Sequence, residues 1–440
     1  MLTVAPRLLD WQLAGSRITH PVKFIADLHI HSRFSRATSK EMDIPMLARY
    51  AKRKGIALVA TGDFTHPAYL QSLKDNLEPE ENGLFRHGDT RFILNVEVNN
   101  IYSAHGKLRR LHNLIFAPSL ETAEKIGRLL ARYGKVESDG RPTLSISSYE
   151  MLARVLEIDE RAYLIPAHIW TPWFSMFGSN SGFDAIEECF GDLSDHIFAV
   201  ETGLSSDPPM NWRLSVLDRM TLVSNSDAHS PGRLGREANV FDCEMSYDAI
   251  RDVLEKKDRS RLLETIEFFP EEGKYHYDGH RNCDICLSPE QASANNDLCP
   301  VCGRKLTVGV LHRVGELADR KPDEVPDDVI PFRHLVPLDE IVSQAVGKGR
   351  DTQTVQRAYG KLVDELGSEF EVLLEAPADE IAAHSDERVG LGVERMRSGE
   401  VEKKPGYDGV FGVISVLPGG PRKDADESGK VDENGQLGLF

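Results

Sequence analysis

The residues best suited to chemistry begin in Asp27-Leu28-His29-Ile30-His31-Ser32, where two histidines stand one residue apart behind an apolar run. In an extended chain side chains alternate, so His29 and His31 face the same way. Two imidazoles on one face make half of a metal site. A second pair with this spacing, Asp227 and His229, lies in Asn225-Ser226-Asp227-Ala228-His229. Between the pairs come Asp63, His66, Glu97, His112 and His168. One such histidine alone is more often structural than a ligand. Nine imidazole and carboxylate donors together predict two or three divalent ions (zinc, manganese, magnesium or iron), with Glu97 able to bridge two of them. Clustered ions suit phosphoester hydrolysis, because one acidifies water while others neutralise phosphate and leaving group. Glu97, His168 and Asp227 are the residues expected to carry the reaction.

These donors need a scaffold that brings distant positions together. Short apolar runs predict strands over 24–30, 56–61, 92–98, 111–116, 162–167, 197–200 and 221–224. Segments with helical spacing lie between most of them, as in Ala123, Ile126, Leu129 and Leu130. Alternation over this length implies a parallel sheet with helices outside it. A closed barrel and a doubly wound sheet both fit seven strands. The donors fall mostly at or just beyond strand ends, where parallel barrels build active sites, and this favours the barrel. His112 is the exception, near the start of its run. After the seventh strand, Ala249-Ile250-Val253-Leu254 and Leu262-Leu263-Ile266 read as closing helices.

Six cysteines are present. Cys189 and Cys243 are isolated and read as reduced core residues. Cys283, Cys286, Cys299 and Cys302 form two C-x2-C pairs, the spacing of a closed structural zinc site. Beyond them a mainly helical region follows a proline-rich connector, and a polar, charged tail ends in Gln436-Leu437-Gly438-Leu439-Phe440. The domain reading is an extension at 1–22, a catalytic domain at 23–270, a zinc module at 275–310, a helical domain at 311–418 and a disordered tail at 419–440.

The chain has 440 residues, 40% hydrophobic and 28% charged, with a net charge of −18. That charge excludes an all-over basic nucleic-acid binder but not an enzyme that neutralises phosphates locally. No run is long and apolar enough to span a bilayer, and the N-terminal stretch lacks the pattern of a signal peptide, so a cytoplasmic protein without a membrane partner is expected. Local cations are available. Arg33 and Arg36 follow the first histidine pair, and Arg233 and Arg236 follow the last. The loop Ile169-Trp170-Thr171-Pro172-Trp173-Phe174 places Trp170 and Trp173 beside His168, where they could stack on an extruded base or simply cap the barrel.

Asp-Leu-His29-Ile-His31-Ser, Gly-Asp63 with His66, Glu97, His168 and Ser-Asp227-Ala-His229 resemble the polymerase-and-histidinol-phosphatase (PHP) domain. The resemblance spans about 23–269 and implies an α/β fold: a distorted (βα)7 barrel of metal-dependent phosphoesterases. The whole layout, with its four-cysteine module, helical region and Pro405-Gly406-Tyr407-Asp408-Gly409, is similar to the endonuclease Q family. That implies cutting of damaged DNA on the 5′ side of deaminated bases (uracil, hypoxanthine, xanthine) and at abasic sites. A small-molecule phosphatase and a non-catalytic DNA adaptor are the alternatives. Two departures bear on the ion count. Residues 32–38 offer no acidic or histidine ligand after the first pair, and Phe64 and Thr65 separate Asp63 from His66. The terminal Gln436, Leu437, Leu439 and Phe440 resemble the pentapeptide with which bacterial proteins dock on the DNA sliding clamp, here carried on a flexible tether.

Overall fold

The computed structural model describes residues 22–418. The expected extension (apart from Val22) and the whole of the 419–440 tail, with its clamp-like end, lie outside the described residues.

All seven anticipated strands form, with shifted ends. They are β1 (Val22–Asp27), β2 (Leu58–Ala60), β3 (Thr90–Ala104), β4 (Lys107–Ala117), β5 (Tyr163–Pro166), β6 (Ala199–Glu201) and β7 (Thr221–Val223). Helices α1 (Ile44–Lys54), α2 (Pro67–Asn76), α3 (Leu120–Leu130) and α4 (Ser148–Ile158) lie between them. Each starts where a side chain satisfies an orphan backbone N–H, as Asp43 does for Met46 and Ser119 for Thr122. Helix α1 turns Ile44, Leu47 and Ala51 inward. Burying each of the larger two contributes about 1.5–3 kcal/mol.

Strands β1, β2 and β3 pair in parallel, as do β6 and β7. The purely parallel expectation fails at β3 and β4, which form a long antiparallel hairpin around a turn at His105-Gly106. Strand β5 then pairs antiparallel with β4. The reversal explains His112. In a strand running backwards, its early residues lie at the end of the sheet where the parallel strands finish.

No strand ladder joins β5 to β6 or β7 to β1 among the described residues. Single backbone bonds cross those seams instead: Ile169 N–H donates to Glu201 O at 3.1 Å, and His31 N–H to Ala228 O at 3.0 Å. On the far side of β1 the sheet continues through antiparallel β8 (Ala238–Cys243) and β9 (Leu262–Glu267) to eleven strands in all. The segment Leu262–Ile266 was expected to be helical. Its buried Leu262 and Ile266 stand four residues apart, a spacing that a strand (period two) satisfies as well as a helix does. Helix α5 (Tyr247–Glu255) forms as anticipated.

A short hairpin, β10 (Asp278–His280) and β11 (Ile285–Leu287), carries the cysteine segment. The connector after it contributes β12 (Phe332–His334), parallel to β9, so the chain returns to the large sheet before its last helices. These are α6 (Leu338–Val346), α7 (Gln353–Leu366), α8 (Glu369–Leu374), α9 (Ala378–His384) and α10 (Glu387–Ser398). The group is fastened to α1 by a buried ion pair, Lys54 Nζ to Glu369 at 2.7 Å, and the Tyr359 hydroxyl donates to the same carboxylate at 2.7 Å.

Candidate metal centre

Six of the nine anticipated donors converge in two groups that share one residue: His29, His31, Glu97 and Asp227, and Glu97, His112 and His168. All six are buried. Glu97 sits between the groups. Its Oε2 lies 3.0 Å from His31 Nε2 and 3.7 Å from His29 Nε2. Its Oε1 lies 2.6 Å from His112 Nδ1 and 3.2 Å from His168 Nε2. Asp227 Oδ1 closes the first group at 3.1 Å from His31 Nε2 and 3.6 Å from His29 Nε2.

Local structure sets these positions. The chain beyond β1 runs beside the chain beyond β7: Leu28 N–H donates to Asn225 Oδ1 at 3.0 Å, and Ile30 and Ala228 form a parallel bridge. Both i,i+2 pairs are thereby brought to one place. In the hairpin register Glu97 lies opposite Leu114, so Glu97 and His112 are diagonal neighbours on one face. Asp227 and His168 hold left-handed backbones, φ 47° and 31°, a strain of about 1–3 kcal/mol each that the surrounding fold must impose. Gly203 makes room for His168, since a Cβ at 203 would collide with it.

The imidazoles are oriented from behind. Nδ1 of His29 donates to Glu201, 3.0 and 3.1 Å from its two oxygens, which leaves Nε2 to face the cluster. Glu201 also accepts from His168 N–H at 2.8 Å and Asn225 Nδ2 at 2.8 Å. Glu201 lies one residue past the expected end of the sixth strand, and an acidic residue at a strand end is the signal in the sequence that could have found it. Asp63 plays the same part for His31, with Oδ1 3.2 Å from Nδ1. Its other oxygen accepts from Ser32 N–H at 2.7 Å and from the hydroxyls of Ser32 and Ser35 at 2.6 and 2.8 Å. Asp63 is therefore spent on orienting His31 and does not reach the donor groups. His66 caps α2, its Nδ1 accepting from Tyr69 N–H, and stays outside. His229 also lies outside the two groups, its ring 4.4 Å from that of His31 and its Nδ1 2.9 Å from Asp227 O. Arg141 was not foreseen: its Nη1 lies 3.1 Å from Glu97 Oε2.

The donor atoms fit divalent ions. His29 Nε2, His31 Nε2 and Asp227 Oδ1 are buried without a hydrogen bond, an expensive state for polar atoms unless a cation completes it. Burial alone would lower the pKa of His31, yet the adjacent carboxylates of Asp227, Asp63 and Glu97 push it up to about 10. Burial pushes His112 down to about 3. Burial would raise Asp227, but His29, His229 and His31 hold it well below the usual carboxylate range. The ionised carboxylates of Glu97 and Asp227 supply negative charge that a divalent cation would balance.

The second metal candidate differs from expectation. The converging atoms belong to His280, Cys283, Cys299 and Cys302, with Cys302 Sγ 3.5 Å from His280 Nδ1. Cys286 is not among them. In the β10–β11 register His280 lies opposite Ile285 and Cys286 opposite Gly279, so His280 and Cys286 project from opposite faces. Cys286 Sγ instead contacts Pro405 O at 3.9 Å. Three thiolates and an imidazole still make a closed tetrahedral set.

The anticipated nucleic-acid contacts divide. Arg33 and Arg36 remain accessible, with side chains 42% and 77% exposed, beside Asp43 and Asp139. Trp170 is a core residue, its Nε1 donating to Asn211 at 2.8 Å, so it offers no face to a base. Trp173 is half-buried, edge-on to Tyr275. Arg233 pairs with Glu340 of α6 at 2.6 Å, and Arg236 Nε donates to Ser226 O at 2.8 Å. Those two arginines brace the Asp227 loop and the helical region.

The chain is similar to several known proteins. The MJ0043 C-terminal domain family matches residues 337–400. A protein of Methanocaldococcus jannaschii, MJ0043, uncharacterised in function, is 32% identical over 311 residues. That match takes in 67% of this chain but only 38% of MJ0043. The lesion-specific endonuclease PfuEndoQ of Pyrococcus furiosus shares 32% identity and superposes with a TM-score of 0.80, covering 89% of this chain and 95% of that one. An endonuclease Q in complex with a 27-mer duplex substrate, an abasic lesion at its active site, is 32% identical with a TM-score of 0.81, over 90% and 97% of the two chains.

Proposed function

The chain belongs to the endonuclease Q family, and from that membership and its buried donor clusters we propose that it is a metal-dependent DNA repair endonuclease. The proposed reaction is hydrolysis of the phosphodiester on the 5′ side of deaminated bases (uracil, hypoxanthine, xanthine) and abasic sites. The observation that carries this reading is Glu97, one carboxylate belonging to both donor groups, an arrangement suited to a multinuclear phosphoesterase.

In this reading His29, His31, Glu97 and Asp227 hold one ion, and Glu97, His112 and His168 hold another. Divalent ions there would acidify water and neutralise charge on the phosphate and the leaving oxygen. The chain's own contribution is preorganisation. Glu201 and Asp63 fix which imidazole nitrogen faces inward, and the buried setting strengthens every charge interaction. Arg33 and Arg36, exposed beyond the first histidine pair, would meet flanking phosphates.

We read the seven strands as the distorted barrel of a PHP-type domain at 23–270, followed by a zinc module at 275–310 and a helical domain at 311–418. The backbone bonds across the two seams support the barrel, and the family match at 337–400 falls inside the last domain. Among the described residues no helix is long and apolar enough to cross a membrane. The terminal Gln-Leu-Gly-Leu-Phe supports docking on the sliding clamp and work in the cytoplasm near the nucleoid. Deleting Gln436–Phe440 should abolish clamp binding while leaving cutting of short duplexes intact.

The decisive experiment offers end-labelled duplexes carrying one uracil, hypoxanthine or abasic site, with Mg²⁺ or Mn²⁺. A nick directly 5′ of the lesion, absent from undamaged duplex, is expected. Release of phosphate from a sugar phosphate without any nick would refute the reading.

A further inference from the structure

Three anticipated donors do not join the cluster, and a cation does. The loop between α3 and α4 reaches back over the first histidine pair. Gly140 N–H donates to Phe34 O at 3.0 Å, and a Cβ at 140 would collide with Asp63 Oδ2 and Ser35 Oγ, so only glycine lets the chain approach this closely. Asp139 fastens the same loop: its carboxylate accepts from Arg36 N–H at 3.3 Å and Arg141 N–H at 3.2 Å, and pairs with Arg36 Nε at 3.2 Å. The next side chain is Arg141. Its side chain is only 16% exposed, and its guanidinium meets Glu97 Oε2, the oxygen that faces His29 and His31.

We propose that Arg141 binds the phosphate that is cut, so that the centre works with two ion sites and one fixed guanidinium. Burying a guanidinium costs desolvation, and beside divalent ions it would also meet like charge, so a purely structural partner for Glu97 would be better supplied by a neutral donor. A guanidinium's planar fork of N–H donors matches phosphate oxygens, which an imidazole or another metal ligand would not do without an ion. The position also fits: the loop holds Arg141 at the carboxylate shared by both donor groups, so any phosphate spanning them passes it. This inference rests on the endonuclease reading above.

The test compares two lesion duplexes with the full-length protein, one with a normal phosphodiester 5′ of the lesion and one with an uncharged methylphosphonate there. Binding is read by fluorescence anisotropy in EDTA, where nothing is cut and a metal cannot attract the phosphate. The wild type should prefer the charged duplex by about tenfold, the worth of one charged hydrogen bond. Arg141→Ala should bind both alike, and Arg141→Lys should keep part of the preference. Elemental analysis of the metal-loaded proteins should find equal metal per chain in all three. An unchanged preference in Arg141→Ala overturns the proposal, as does loss of metal, which would mark Arg141 as a support for Glu97. If Arg141→Ala does not fold, the comparison of Arg141→Lys with wild type decides it: equal preference refutes the forked contact. Failure of the wild type to nick any lesion duplex would strike the endonuclease reading instead.

Discussion

Both carboxylate oxygens of Glu201 face Nδ1 of His29, at 3.0 and 3.1 Å, while the same carboxylate takes the backbone N–H of His168 at 2.8 Å. One residue outside both donor groups therefore orients a member of each. Glu201→Gln keeps the volume and removes the charge. It should weaken metal binding about 10–100-fold, as loss of such a supporting carboxylate does. Calorimetric titration of the metal-free protein measures this, and unchanged affinity would show that His29 is held by packing alone.

Glu97 is the residue the centre can least spare. Glu97→Gln leaves one oxygen for two donor groups and removes the charge that both use. Several kcal/mol of transition-state stabilisation should go with it, about three orders of magnitude in rate. Single-turnover nicking gives the rate, and circular dichroism checks that the fold persists. Activity within tenfold of wild type would overturn the shared-carboxylate assignment.

The cysteine module separates two neighbouring side chains. Cys286→Ser should retain its zinc, because Cys286 faces Pro405 and not the other cysteines. His280→Ala should lose zinc or bind it far more weakly. Zinc content after dialysis against a mild chelator is the measurement, and the reverse outcome would restore the four-cysteine set.

Glu267 gives a pH dependence. It is fully buried, accepting from the hydroxyls of Thr202 and Ser224 at 3.1 Å and of Thr265 at 2.5 Å. Burial pushes its pKa from 4.5 up to about 7. Between those values the native state holds a proton that the unfolded chain has lost, so this residue's contribution to stability falls as pH rises through that window and is level above it. Glutamine resembles the protonated form. Glu267→Gln should therefore raise Tm at pH 8 by about a few degrees and change it little at pH 5. A lower Tm at pH 8 would show that the charged form is the one the fold stabilises.

The Lys54–Glu369 pair ties α1 to α8 with both side chains about 5% exposed. Removing one partner strands a buried charge. Lys54→Met should cost about 3–5 kcal/mol in chemical unfolding, and Lys54→Met with Glu369→Gln much less. Equal loss in the single and double variants would show that the charges are not coupled.

The strand order along the chain and the six converging donors were legible because each rests on a local signal. Period-two apolar runs mark strands wherever they end up, and imidazole and carboxylate side chains at their ends announce a metal site. The same local reading mistook Leu262–Ile266 for a helix, since a four-residue spacing serves both periods. For Trp170 it left base stacking and packing both open, and the indole, buried against Asn211, takes the packing role.

What the sequence by itself determined, then, is the kind of chemistry: buried nitrogen and carboxylate donors in an α/β frame, and cysteines spaced for zinc. Which donors meet was decided only by the tertiary structure. Asp63 is turned away by Ser32 and Ser35, and His66 by its helix. Cys286 is excluded by the alternation of a two-stranded ladder, and Glu201 and Arg141 arrive from far along the chain. The physical reason is range. Periodicity and spacing report on neighbours a few residues apart, whereas a metal centre is defined by distances of about 3 Å between atoms on separate strands, which only chain packing sets.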